Sequence, residues 1–488
     1  MQSCFQGISP VNIRQLFPDA ELFGADEVSL WECVTDIRKL RRGDGFAALD
    51  TTLIDEAVAR GAGCILTQER TDNPFRIGPD GNLVPLCQVE NVQRAYAKLC
   101  QALYRFPGNR MELIGITGTS GKTMTSCLVA GILGAAGKNV GMMGSLGCFD
   151  GVDASPTPIS TLPPKRVASW LSRMEQNDCS HVVMEVSSQA LDQYRLEGLE
   201  FSTLCMTNVC REHLDLHGTI ENYRKIKMRM FEYLAEKGVA LLNADDPILA
   251  DIPHWLDIPV LTYGVNEEAD ITAIPIEQTR SEQTILVTAG NASLPLCTKI
   301  IGTHFVYDSL AAVAVGLRLG IDLETIVRGI ESVQTIPGRM ERIECGQPFG
   351  VFLDFAHTPN ELENTLESLR DVTRGRILCV FGARGDRDPE KRPLMGKIAS
   401  RLADHVVLTD THPADECPDK IIDDILSGMK NTQDVSIYHR RRDAICYALS
   451  QAQPGDCVLI AGRGHEKSPT PDRYDDRDFI RKWLYKNQ

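Results

Sequence analysis

Short, continuous apolar runs alternating with helical periodicity predict an α/β fold, with parallel sheets covered by helices on both faces. Three observations carry that prediction. Strand-like runs recur through the chain, at residues 64–66, 113–116, 182–184, 203–206, 239–242, 351–355, 377–381, 406–408, 435–438 and 457–460. Amphipathic stretches such as 54–60 and 92–105 stand between such runs. A glycine-rich loop at 118–123 directly follows one strand and opens a helix over 124–136.

At about 150 residues per domain, 488 residues give roughly three. The divisions fall near Phe106-Pro107-Gly108 and Ile336-Pro337-Gly338, which sets segments 1–108, 109–336 and 337–488. Composition is that of a globular protein, 43% hydrophobic and 24% charged. Acidic residues outnumber basic ones by 66 to 51, a net charge of −15. That balance opposes a counterion-release grip on nucleic acid. It leaves room for an anionic small substrate, since a few local cations can hold a phosphate. No apolar run reaches the ~18–20 residues of a membrane span, and the first residues lack a signal pattern, so a cytoplasmic protein without membrane insertion is expected. The 16 cysteines are scattered without a C-x-x-C pair and read as small core hydrophobes.

The strongest local signal is Gly118-Thr119-Ser120-Gly121-Lys122-Thr123 after the strand at 113–116. Such a loop points backbone N–H groups at phosphate oxygens, and the helix N-terminus adds partial positive charge. Lys122 can neutralise the β- and γ-phosphates and Thr123 can ligate Mg²⁺. The strict G-x-x-x-x-G-K-[ST] spacing would need glycine at Ile116, so the pattern misses by one residue. Strand before and helix after favour a nucleotide loop over a turn with an exposed lysine.

Around this loop the sequence resembles the Mur ligases, most of all those that extend UDP-N-acetylmuramoyl-L-alanyl-D-glutamate. The resemblance spans nearly the whole chain. It is carried by the loop, Met184-Glu185-Val186-Ser187-Ser188, Thr207–Asp215, Asn243-Ala244-Asp245-Asp246-Pro247, Pro337-Gly338-Arg339-Met340-Glu341, Asp354–Pro359, Gly385-Asp386-Arg387-Asp388 with Lys391-Arg392-Pro393, and Gly462–Glu466. It implies a UDP-precursor-binding first domain, a P-loop central domain and a Rossmann-like C-terminal domain that takes the amino acid. The implied reaction uses ATP and Mg²⁺ to phosphorylate the precursor carboxylate, and an incoming amino acid then displaces phosphate from the acyl-phosphate. The implied partners are UDP-N-acetylmuramoyl-dipeptide and a free amino acid, and a monomer is expected. Closure of the third domain over the second would exclude water from the acyl-phosphate.

The resemblance also assigns residues. Lys122, Glu185, His213 and Lys227 form the catalytic set, with Thr123, Glu185, His213 and Lys227 at Mg²⁺. Lys227, by default a solvated helix residue, is expected to be carbamylated, which would turn a cation into a carboxylate-like oxygen ligand. His213 alone would read as a satisfied loop histidine. Gly118 to Thr123 with Arg339, Asp354 and His357 fall to ATP. Ser187, Gln193 and Arg195 fall to the muramoyl-peptide, and Arg387, Gly462 and Glu466 to the remaining substrate contacts.

Four departures from the family pattern bear on specificity. Asp36-Ile37-Arg38 stands where Asp-Ser-Arg is usual, and the glycine-rich stretch after it is shortened to 50–54, which weakens the expectation for uridine. Phe305 and Asp308 replace amides near the adenine; Phe305 could stack on a base, while Asp308 keeps the shape and loses the donor. Gln189 replaces a histidine. Thr411-His412-Pro413-Ala414 stands where diaminopimelate enzymes carry Asp-Asn-Pro-Arg, whose arginine clamps the distal carboxylate. The reading therefore leans to another amino acid. The alternatives are a folylpolyglutamate-synthetase-like ligase and a non-catalytic nucleotide- or precursor-binding paralogue.

Overall fold

The computed structural model describes residues 8–70, 74–157, 159–210, 212, 214–252, 257–467 and 474–487. The chain forms two compact units: Met1–Thr117 with Lys138–Leu204 and Lys225–Ala240, and Gly118–Gly137 with Cys205–Arg224 and Leu241–Gln488.

The first unit opens with a five-stranded sheet in the order Glu21–Phe23, Leu86–Gln88, Cys64–Thr67, Gly45–Ala47, Cys33–Val34. All neighbours are parallel except the outermost Glu21–Phe23. Its inner strands are mostly apolar because both faces are covered. Ala47, Cys64, Leu66 and Cys87 pack with Leu99 and Leu103 of the helix Val92–Leu103. Phe46, Ala48, Ile65 and Leu86 pack on the opposite face with Ile54, Ala57 and Val58 of the helix Ile54–Ala59. This is the period of two with a core on each side. Further on, Glu112–Thr117 and Val140–Gly144 flank His181–Val186, both in parallel.

The second unit carries a six-stranded sheet ordered Glu341–Arg342, Gly350–Leu353, Cys457–Ile460, Ile377–Phe381, His405–Thr409, Val435–Tyr438. The first pairing is antiparallel and the rest are parallel. Cys457–Ile460 lies between Gly350–Leu353 and Ile377–Phe381. The helices after those two, Pro359–Val372 and Lys391–Leu402, pack on each other, while the chain leaving Cys457–Ile460 leads to Asp476–Lys486 beside Arg441–Gln451. The central strand's loop therefore diverges from its neighbours'. That is the crevice in which doubly wound sheets hold ligands. Asp354, Arg384, Arg387 and Gly462 all follow the carboxyl ends of these strands.

Two expectations change. The segment Ile271–Gln278, Gln283–Ala289, Ala292–Thr298 is an antiparallel ribbon, closed between Ala289 and Ala292 by a two-residue turn with Gly290 at φ +58°. Its alternation leaves Ile274 and Ile276 exposed, unlike the covered strands. The cysteines are free among the described residues and mostly buried, but Cys297 and Cys417 are exposed and fill no core.

Candidate functional site

The phosphate loop is held open by contacts only glycine permits. Gly118 has φ +149°, and a Cβ there would stand 1.9 Å from the Thr207 hydroxyl oxygen. Gly121 has φ +86°, and a Cβ there would stand 2.2 Å from Asp308 Oδ1. Thr207 Oγ1 donates to the Ser120 carbonyl at 2.6 Å, and Asn208 Oδ1 accepts from the Ser120 N–H at 2.9 Å. Lys122 Nζ donates to the carbonyls of Gly118 (2.8 Å) and Thr119 (2.7 Å), so its ammonium sits over the loop. The Thr119 hydroxyl lies 2.9 Å from the Tyr223 hydroxyl. The helix Lys122–Ala135 starts here, as the sequence predicts within two residues.

Residues from beyond position 337 reach this loop. Arg339 Nη2 donates to Thr123 Oγ1 at 3.4 Å, and Ser120 Oγ donates to Glu361 Oε1 at 3.3 Å. Asp354 positions Arg339: its carboxylate accepts from the N–H groups of Met340 (2.6 Å) and Ala356 (2.8 Å). Arg339 and Arg384 both lie over the Phe355 ring, 4.4 and 5.5 Å from its centroid. His357 faces Glu361 at 3.1 Å and Glu212 at 3.7 Å. Although burial opposes it, the His357 contacts hold the Glu361 carboxyl well below the usual range.

A pocket of about 420 Å³ continues from His357 and Glu212 to Arg384, Arg387 and Lys391. Arg387 Nη1 donates to Asp215 at 3.4 Å, and Arg384 Nη2 to Glu466 at 2.5 Å. Gly462 has φ +96° in the same crevice. Arg384 provides a second guanidinium beside Arg387 that the motif comparison with Asp-Asn-Pro-Arg did not anticipate. Ala414, in the arginine's place, is exposed at φ +52°.

In the first unit, Glu185 is 2% exposed and accepts from the Ser145 N–H and hydroxyl, each at 2.9 Å. Lys227 is 1% exposed, not a solvated helix residue, and its Nζ donates to Thr117 Oγ1 at 3.2 Å. Thr117 donates to the Val186 carbonyl, next to Glu185. Ser187 caps the helix Ser188–Asp192 by accepting from Ala190 N at 3.2 Å. Gln193 Oε1 accepts from Arg195 Nε and Nη2, and Arg195 Nη1 donates to the Thr161 carbonyl at 2.6 Å. Burial lowers the Arg195 guanidinium from its ordinary value. His213 lies outside the described residues.

The departures also find their places. Phe305 is fully buried in the helix Thr303–Arg318 and packs in the core, so it offers no ring for a base. Asp308 is 4% exposed against Gly121 and Thr125, and burial pushes its carboxyl up to about 8. Asp36 caps the turn Ile37–Lys39 and pairs with its own neighbour Arg38 at 2.9 Å. Gln189 is exposed.

Sequence reasoning missed Glu361, Arg384 and Lys391. The signal for Glu361 was present: Thr358-Pro359-Asn360-Glu361 is a capping box at a helix start.

The Mur ligase middle domain matches residues 116–316, and the Mur ligase glutamate ligase domain matches 338–464. A UDP-N-acetylmuramoyl-L-alanyl-D-glutamate–2,6-diaminopimelate ligase of Geobacillus kaustophilus is 37% identical over 445 residues, covering 88% of this chain and 89% of its own. The chain belongs to the Mur ligase family. A relative of the same name from Gloeobacter violaceus is 36% identical, covering 93% of this Mur ligase and 94% of itself. A solved structure, again of a ligase so named, superposes with a TM-score of 0.68 at 26% identity over 98% of this chain and 99% of its own. A folylpolyglutamate synthase of Mycobacterium tuberculosis, complexed with ADP and AMPPCP, has a TM-score of 0.62 at 17% identity. It covers 76% of this chain and 92% of its own, and that likeness shows the fold alone. This Mur ligase is an enzyme of the ligase class, with the α/β architecture of the family.

Proposed function

We propose that this Mur ligase adds an amino acid to UDP-N-acetylmuramoyl-L-alanyl-D-glutamate at the expense of ATP, through an acyl-phosphate, in peptidoglycan synthesis in the cytoplasm. The observation that carries the reading is the meeting of the glycine-cradled phosphate loop with Arg339 and Glu361, at one end of a pocket lined by opposite charges.

The residues suit two anions brought together. Lys122 and the loop N–H groups would take the triphosphate, and Arg339, fixed by Asp354, adds a guanidinium where phosphoryl charge develops. A rigid arrangement of this kind aligns carboxylate and phosphate without reorganisation during reaction. Ser187, Gln193 and Arg195 would hold the muramoyl-peptide. Glu212, Asp215, Arg384 and Arg387 would orient a zwitterion. Among the described residues no three His, Cys, Asp or Glu side chains form a metal site. By resemblance Thr123 and Glu185 fall to Mg²⁺, and each carries the oxygen donor that a hard cation takes. Lys227, buried against the Thr117 hydroxyl, would join them as a carbamate, and His213 by resemblance. Mg²⁺, when bound, would supply charge neutralisation between the two anions.

The acceptor in the relatives' names is diaminopimelate. The alanine at 414 favours a different amino acid here, one whose recognition does not depend on a guanidinium at that position. The test is phosphate release with UDP-N-acetylmuramoyl-dipeptide, ATP and a panel of amino acids that includes diaminopimelate. Strict dependence on one amino acid is the expected result. Release with a folate and glutamate, or none with any acceptor, overturns the reading.

A further inference from the structure

The cations lining the pocket differ in how they are held. Arg387 is paired with Asp215 and Arg384 with Glu466. Buried Arg392 next door is paired with Glu416 and Asp424. Lys391 lines the same pocket, half-buried, and among the described residues makes no hydrogen bond or ion pair. It is also the first residue of the helix Lys391–Leu402, whose N-terminal partial positive charge disfavours an ammonium.

We propose that Lys391 is the general base of the ligation step, taking the proton that the incoming amino acid must lose before its nitrogen can attack. The proposal rests on the ligase reading above. An amino acid arrives as an α-ammonium with no lone pair to donate. Transfer of one proton to an unprotonated Lys391 amine frees that pair. The C–N bond then forms at the acyl carbon, and the bond from that carbon to the phosphate oxygen breaks, with phosphate taking the electron pair. The second excess proton on nitrogen leaves with phosphate.

The surroundings fit a base better at Lys391 than at Glu361, Glu212 or Asp215. From the helix starting at Pro359, Glu361 is engaged with His357 and Ser120. From residues 212–215, Glu212 faces His357 and Asp215 holds Arg387. A carboxylate held by cations is a weak proton acceptor. At Lys391 burial lowers the ammonium from its ordinary value and Arg384 adds to that, against the opposing pull of Glu212, Glu361 and Asp215. Lysines brought down by burial are suited to proton abstraction.

Hydroxylamine separates the step from the rest of the reaction, because it is already neutral near pH 7 and needs no base. Lys391→Met and Lys391→Arg should both lose about 10²–10⁴-fold in amino-acid ligation. Both should still form hydroxamate from the muramoyl-dipeptide, ATP and hydroxylamine at the wild-type rate. Their residual ligation should climb with pH towards the range where the amino acid deprotonates unaided. Wild-type ligation by Lys391→Arg would show that a cation suffices and overturn the proposal. Equal loss of hydroxamate formation in both variants would also overturn it, placing Lys391 in phosphoryl transfer or in folding. A wild-type enzyme that forms neither product fails the ligase reading itself.

Discussion

Asp308 places a carboxyl where it touches the phosphate loop, 3.4 Å from the Thr125 hydroxyl and against Gly121. Burial raises it to about 8, and Thr125, Arg339 and Lys122 only partly oppose that. The native state therefore keeps this proton over a range in which the unfolded chain, near its ordinary value of 3.8, has released it. Stability from this group is full below about pH 4 and is lost as pH rises through about 8. Asp308→Asn removes the linkage while keeping the shape. Its melting temperature relative to wild type should rise from pH 5 to pH 8 and then level off. A gap that stays constant across that range would show that Asp308 titrates as an ordinary carboxyl.

The helix Pro359–Val372 shows how one element serves both fold and site. Thr358 caps it, accepting from Glu361 N at 3.3 Å, and Pro359 fills the first turn where no N–H is needed. Glu361, at the third helical position, turns its carboxylate to the His357 N–H and to Ser120. Thr358→Ala should cost about 1 kcal/mol in denaturant unfolding. It should also raise the KM for ATP more than it changes kcat, because the loop loses a fixed neighbour; unchanged KM with the stability loss would confine the cap to folding. Elements like this mark what could be read from sequence. Strands 377–381, 435–438 and 457–460 are found at the expected residues, because parallel strands leave continuous apolar runs. The ribbon over 271–298 went unread because its alternation carries apolar residues on an exposed face. At the site, the phosphate loop was legible because its chemistry is local. Arg384 and Lys391 were not, since only the pairing of strands far apart in sequence makes them neighbours of His357. Phe305 was misread for the same reason: its side chain turns inward, and sequence does not record direction.

Across the molecule, the excess of acid described by the −15 charge is partly converted into structure by arginines. Arg392, fully buried, binds Glu416 through both terminal nitrogens (2.8 and 2.9 Å), Asp424 at 2.9 Å and the Arg384 carbonyl at 3.2 Å. Glu416 also accepts from Asp386 N at 2.6 Å. This network fixes the loop that presents Arg384 and Arg387 to the pocket, so the stability of the fold and the geometry of the site are coupled. The Arg392 hydrogen bonds pull Glu416 down to about 2 from its ordinary 4.5. A depressed carboxyl contributes its stability above its unfolded value and loses it as pH falls through the folded one. Acid unfolding should therefore draw on this group between about pH 4.5 and 2. Glu416→Gln leaves the buried guanidinium with Asp424 as its remaining charged partner, and should cost roughly 2 kcal/mol at pH 7. The difference from wild type should shrink as pH falls over that window. Urea midpoints measured from pH 7 to pH 2.5 check this, and a difference independent of pH would show that packing, not charge, is what the substitution removes.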